Sequence, residues 1–259
     1  QGRYDEMSIL TTIVDHKLEE IAARKREVRI SDLSQMEFYG RKACSITEAL
    51  RRVKPIAIIA EFKRSSPSAG VINNRLSPVD AALEYAANGA AALSVLTDER
   101  YFSGTNMDLL RTRESLLLPL LRKDFIVDEY QVHEAKACGA DAILLIAAIL
   151  EKPHLADLHA AARELGLECL VELYDEKEID ILDLDRMRLI GINNRDLRSL
   201  SVNLDRTVAM AGHFAAMKEV TLVSESGIRT PSDLRKLIAC GVRSALIGEL
   251  FMKSPSPGR

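Results

Sequence analysis

No apolar run in this chain reaches the ~18 residues of a membrane-spanning helix, and the opening residues lack a secretory hydrophobic region. A dominant charge sign is missing too. Lys and Arg number 35 against 38 Asp and Glu, a net charge of -3. That balance gives no global field for nucleic acid, so any anion binding has to be local. Cysteine is scarce: Cys44, Cys138, Cys169 and Cys240 are scattered with no C-x-x-C spacing. This argues against a zinc site or a disulfide framework and reads as reduced, mostly buried thiols in a cytoplasmic protein. His/Cys/Asp clusters at ligand spacing are absent, so no metal is implied. The histidines, His16, His133, His154, His159 and His213, all fall in or near predicted helices. None ends a predicted strand, and all five read as solvated helix positions without a catalytic role. No G-x-G-x-x-G follows the first predicted strand, so the fingerprint of an open nucleotide-binding sheet is missing as well.

What is present is a regular alternation. The 259 residues, 47% of them hydrophobic, are enough for one large domain, and the length suits a (β/α)8 barrel. Short apolar runs occur at 56–62, 91–96, 118–121, 142–146, 169–173, 189–192, 221–223 and 245–247, with helical segments between them. Ser77-Pro78 and Thr230-Pro231 place Pro one residue after an N-cap candidate. Gly89, Gly139 and Gly241 each stand where a left-handed residue would close a helix before the next strand. Eight strands alternating with helices imply a parallel sheet buried on both faces, and within about 200 residues they favour a closed barrel.

The fold class is therefore α/β, a TIM barrel spanning residues 7–259 with an extra N-terminal helical segment at 7–53. Within that segment a helix runs from Ile9 to roughly Arg29, its basic end read as a solvated terminus. Residues 1–6 read as a cloning remnant ahead of a native start at Met7. After the last strand, Ser254-Pro255-Ser256-Pro257-Gly258 is not helical material, so a full eighth outer helix is expected to be missing.

The most informative stretch is Glu61-Phe62-Lys63-Arg64-Ser65-Ser66-Pro67-Ser68. Strand side chains alternate faces, so Glu61 and Lys63 point the same way, above Ile59 and Ala57. The other strand ends behave alike. They carry Lys123-Asp124, Glu172, Asn193-Asn194-Arg195-Asp196, Glu225-Ser226-Gly227 and Gly248-Glu249. Barrel active sites lie at these C-terminal ends, and six ends carrying inward polar groups predict a convergent pocket. Opposed amines and carboxylates there should shift one another's pKa values, as acid-base catalysis requires. Glycines after strands seven and eight suit a phosphate site, because they let backbone N–H groups approach an anion. Ser66 could add a hydroxyl, and for Glu249 the amide rather than the carboxylate is expected to matter.

These fragments together resemble the indole-3-glycerol phosphate synthase family. The matching pieces include Ile59 to Ser68, Ser94 to Asp98, Tyr101 to Thr105, Leu121 to Ile126 and Ala142 to Ile146. They continue with Val171-Glu172-Leu173, Gly191 to Leu197, Ser224 to Ile228 and Ile247 to Met252. The resemblance implies closure of the indole ring of 1-(2-carboxyphenylamino)-1-deoxy-D-ribulose 5-phosphate, with loss of carbon dioxide and water, in tryptophan biosynthesis. The activity would be that of a carboxy-lyase without a metal or organic cofactor.

By the same resemblance Lys123 is the general acid for ring closure. Glu172 is the general base or cation-stabilising carboxylate. Lys63 holds the substrate carboxylate and is a candidate acid for dehydration, with Glu61 orienting the amines. Asn193 and Glu225 fix substrate and lysine. The phosphate would meet Ser66, Ser226, Gly227, Gly248 and Glu249, with Arg195 nearby. Phe102, Phe125, Leu144 and Leu197 would surround the aromatic ring, plain core packing being the competing account of these four. Ser65 and Thr105 depart from the family's frequent lysine and serine.

The expected partner is a small phosphorylated substrate, with no nucleic acid or membrane, for a cytoplasmic monomer or weak homodimer. Two other readings stay open: a Schiff-base lysine at Lys63 or Lys123, as in barrel aldolases, and a degenerate barrel that only binds sugar phosphates.

Overall fold

The computed structural model describes residues 9–196 and 201–258. The expected cloning remnant at 1–6, and Leu197, lie outside the described residues. Eight parallel strands form a closed barrel. They are β1 (Ala57–Phe62), β2 (Ala92–Leu96), β3 (Leu120–Lys123), β4 (Ala142–Ile146), β5 (Glu168–Leu173), β6 (Leu189–Asn193), β7 (Thr221–Glu225) and β8 (Ser244–Ile247). Each pairs with its sequence neighbour, and β8 closes on β1 through Ala57 opposite Ser244 and Ala60 opposite Ile247. The third strand starts two residues later than its apolar run. Pro119 lacks an N–H for the ladder, and Leu120 is the first residue seated, its N–H bonded to Asp141.

The two-residue period of the strands separates two apolar layers. Ile59, Leu121, Leu144, Leu170, Leu189, Val223 and Leu246 fill the barrel interior. Ala60, Phe62, Leu93, Val95, Ile143, Leu145, Val171 and Ile190 face outward against the helices. Moving two residues further along an inward column turns Ile59 into Glu61, Leu121 into Lys123, Leu170 into Glu172 and Val223 into Glu225. An aliphatic floor therefore lies directly beneath the polar mouth.

The helices are α1 (Ile9–Glu27), α2 (Ile30–Leu33), α3 (Ile46–Arg52), α4 (Pro78–Ala87), α5 (Glu99–Phe102), α6 (Asn106–Ser115), α7 (Glu129–Ala137), α8 (Lys152–Glu164), α9 (Asp205–Ala211), α10 (Pro231–Ala239) and α11 (Glu249–Lys253). The Ser77 and Thr230 side chains cap α4 and α10 as expected, accepting from Asp80 N and Asp233 N. Gly89, Gly139 and Gly241 take φ of +87°, +81° and +90°, the left-handed region where a Cβ would be strained. Between β5 and β6 the expected helix is only a 3-10 turn, Glu176–Ile181. After β8 the described residues hold the five-residue α11. Among the described residues no helix is long and apolar enough to cross a membrane.

The N-terminal segment wraps the barrel from end to end. Helix α1 crosses the mouth with Ile9, Leu10 and Ile13, and runs beside α7, where Arg24 pairs with Glu134 and Lys25 with Asp128. Its basic end is thus an anchor, a correction to the solvated terminus that charge at a helix end suggests. Helix α3 then seals the opposite, N-terminal face. Ser45 and Thr47 bond Glu168 at the base of β5, and Arg51 bonds Thr221 at the base of β7. At the same end, the Asp141 carboxylate accepts from Arg41 (2.5 Å), Cys44 N (2.7 Å), Arg113 (2.5 Å) and Leu120 N (2.8 Å).

The four cysteines are free, two buried and two half-buried. Burial pushes the Cys138 thiol up to about 11, so it stays protonated and inert. His159 corrects the sequence reading of five solvated histidines. It is buried on α8, and burial depresses its pKa.

Candidate active site

A cavity of about 470 Å³ opens at the C-terminal end of the barrel, and Glu61, Lys63, Lys123, Glu172, Asn193 and Glu225 all line it. So do Ser66, Arg195, Ser226, Gly227, Gly248, Glu249, Phe102, Phe125 and Leu144. Every sequence-predicted site residue within the described part of the chain converges on one cavity; Leu197 falls outside that part.

Lys123 is the hub. Its Nζ lies 3.0 Å from Glu172 Oε2 and 2.5 Å from Glu225 Oε2. Burial alone would discharge the ammonium, but Glu172, Glu225 and Glu61 together raise its pKa well above the ordinary lysine value. The two carboxyls cannot behave alike around one cation. Burial and the charge of Glu172 raise Glu225 well above the carboxylate range. For Glu172, burial is outweighed by Lys123 and by hydrogen bonds, leaving it below its usual value. Glu225 Oε1 is buried, and with both carboxyls ionised it would face no donor. There is no slack at this point, because a Cβ on Gly191 would land on Glu225 Oε1.

Glu61 and Lys63 form a second pair at 2.8 Å. Burial of Glu61 opposes its charge, but Lys63, Lys123 and the Ser94 hydroxyl hold its pKa below the ordinary value. Asn193 Nδ2 donates to Glu172 Oε1 at 3.3 Å, and Asn193 Oδ1 accepts from Arg195 N at 3.0 Å.

The rim after β7 and β8 is built from small residues. Ser226 and Gly227 have φ of +67° and +80°, and a left-handed serine is strain of the kind stored at functional sites. Gly248 packs on the Glu61 carboxylate, leaving no room for a Cβ. The Glu249 carboxylate is held by Lys253 at 2.7 Å and faces Arg195 at 3.6 Å. Those contacts leave its backbone N–H at the start of α11. Across the cavity the rings of Phe102 and Phe125 meet at 6.1 Å, forming an apolar wall with Leu144, Ile9, Leu10 and Ile13.

Not every strand-end group turns inward. Asn194 is spent on structure, donating to Ser224 Oγ and to the Glu225 and Ser226 carbonyls. The Asp124 carboxylate accepts from Thr97 and Arg122 and pairs with Lys17. Sequence reasoning passed over Tyr174, which lines the cavity just past the end of β5, two residues beyond Glu172. Its phenol is among the groups that hold the Glu172 carboxyl below its usual value. The two-residue period alone could have found it.

A family model described as indole-3-glycerol phosphate synthase matches residues 10–258. A Salinibacter ruber protein of the same name is 44% identical over 254 residues, 97% of this chain and 93% of the relative. An indole-3-glycerol phosphate synthase of Laribacter hongkongensis is 44% identical over 253 residues, 96% of each chain. One from Neisseria gonorrhoeae is 43% identical over the same length and shares.

Proposed function

The chain belongs to the indole-3-glycerol phosphate synthase family, and from that premise we propose how its cavity closes the indole ring of 1-(2-carboxyphenylamino)-1-deoxy-D-ribulose 5-phosphate. Lys63 holds the aromatic carboxylate, and the Phe102–Phe125 wall holds the ring. The Ser66, Ser226, Gly227 and Gly248 rim with the Glu249 amide takes the phosphate, and Arg195 lies close by. The aromatic carbon bearing the carboxylate attacks the ketone while Lys123 protonates the ketone oxygen. The new carbon–carbon bond leaves a cationic ring, which Glu172 stabilises. Carbon dioxide then departs, leaving its bonding electron pair to the ring. Loss of the hydroxyl as water, assisted by an acid from the Lys63 and Glu61 side and by Glu172 as base, completes the indole.

The observation that carries this reading is the Lys123 ammonium clamped between Glu172 and Glu225. A lysine held charged is a proton donor, whereas a Schiff-base nucleophile must be a free amine. Opposed acids and bases in one cavity likewise favour catalysis over simple sugar-phosphate binding. The barrel and its extension are proposed to act as one unit over residues 7–259, with 7–53 as the extension. The enzyme is proposed to be a cytoplasmic monomer or weak homodimer that uses neither nucleic acid nor membrane.

Indole fluorescence should rise when the folded protein meets the carboxyphenylamino-deoxyribulose phosphate. A folded protein that gives no signal would sink the proposal. A second expectation concerns Tyr174→Phe. Removing the phenol takes away one of the influences that lower the Glu172 pKa, so the acid limb of the kcat profile should move to higher pH. An unchanged limb would remove Tyr174 from the mechanism.

A further inference from the structure

Helix α1 buries Ile13, Lys17 and Ile21 at four-residue spacing, which is one face of a helix. A lysine in the middle of that face is a poor choice for packing, since lysine is almost never fully buried unless paired. The Lys17 side chain is 1% exposed, and its ammonium lies 2.8 Å from Asp98, 3.1 Å from Asp124 and 2.9 Å from Glu20. Asp98 and Asp124 are themselves shut off from solvent. Removing charges from water is costly, and an apolar residue would serve packing as well or better. Some other requirement keeps a cation there.

The partners' own contacts show what the cation joins. Asp98 Oδ1 accepts from Tyr101 N at 2.7 Å and caps α5, the short helix that presents Phe102. Asp124 Oδ1 accepts from Phe125 N at 2.8 Å, and Asp124 follows Lys123 directly. Lys17 itself lies one turn beyond Ile13, whose side chain lines the cavity with Ile9 and Leu10. One ammonium thus ties together the three segments that supply the apolar wall.

On the reading of the site given above, we propose that Lys17 is a positioning residue. It locks α1 to the ends of β2 and β3, so that Ile9, Leu10, Ile13, Phe102 and Phe125 close around the aromatic ring of the substrate. Lys17 touches neither the reacting atoms nor Lys123. Its effect is on ring binding, and therefore on KM more than on kcat.

Lys17→Met alone would leave Asp98 buried without its cation, and a loss of stability could mask the effect. The double variant Lys17→Met/Asp98→Asn removes both charges and keeps the α5 cap, because Asn caps as well as Asp; Asp124 retains Arg122. Expected for the double variant is a KM raised about tenfold, the consequence of exposing part of one apolar wall, with kcat within about threefold. Affinity for indole-3-glycerol phosphate, measured by calorimetry, should fall in parallel. Amide hydrogen exchange should quicken in α1 while the barrel strands keep their protection.

A folded double variant with wild-type KM, product affinity and α1 exchange overturns the proposal. So does a KM that recovers together with the melting temperature, since that would mark a role in stability alone. Wild-type turnover in the same assay separates the two levels. If wild type is inactive, the functional reading fails, and α1 exchange still judges the lock.

Discussion

Lys123→Ala is expected to lower kcat by roughly 1,000- to 10,000-fold, the upper part of the range for a positioned general acid. KM should change little. The groups assigned to the phosphate and to the aromatic ring stand on other loops, and Lys63, which would hold the carboxylate, pairs with Glu61, whereas Lys123 pairs with Glu172 and Glu225. The loss should be large because Lys123 has two duties. It donates the proton, and its charge keeps Glu172 ionised beside Glu225. Without it the two carboxyls face each other with no cation between them, and Glu172 should take up a proton and cease to serve as base. Lys123→Arg retains charge but replaces a compact ammonium with a longer planar group, so it should rescue little activity. Steady-state kinetics decide the matter. A raised KM at near-normal kcat would make Lys123 a binding residue, and a borohydride-trapped adduct on Lys123 would make it a nucleophile.

The other large effect belongs to the opposite end of the barrel. Asp141→Ala should destabilise the protein by about 3–5 kcal/mol, the usual consequence of breaking one side of a buried ion pair. That corresponds to a fall in melting temperature of roughly 10 °C for a chain of this size. The residue left behind is Arg113, whose side chain is 1% exposed. Burial lowers its pKa even with Asp141 present, the carboxylate offsetting part of that cost. The backbone N–H groups of Cys44 and Leu120 would lose their acceptor as well. Below the new melting temperature KM should remain near wild type, because this cluster joins the base of the barrel to the N-terminal segment. Thermal unfolding beside kinetics at low temperature tests both halves. An unchanged melting temperature would remove the cluster from the account of stability.

The inward set was legible in the sequence because strand periodicity is rigid. Once Ile59 and Leu121 are placed in the interior, Glu61 and Lys123 must follow two residues later, with Glu172 and Glu225 behaving in the same way. Loop residues obey no such period. Asn194 and Asp124 sit beside true site groups in the sequence, yet their side chains are engaged by Thr207 and Lys17 respectively. Lys17 was invisible for a related reason. A helical lysine reads as solvent-facing by default, and its partners lie 81 and 107 positions further on, separations that no local pattern reports. The basic end of α1 misled in the same way, since Arg24 meets Glu134 across 110 positions.

The wrapped N-terminal segment bears on the order in which the molecule can be assembled. Synthesis delivers α1 and α3 before any strand, but their partners emerge much later. Ser45 waits 123 positions for Glu168, and Arg51 waits 170 for Thr221. Contacts of such long range are slow to form, and these cannot form until the barrel is nearly closed. The seal that α3 places on the base of the barrel therefore belongs late in folding, whereas α1 can dock earlier, because Asp98, Asp124 and Glu134 all precede β4. The apolar wall of the catalytic cavity, which α1 helps to build, draws on segments no later than β4.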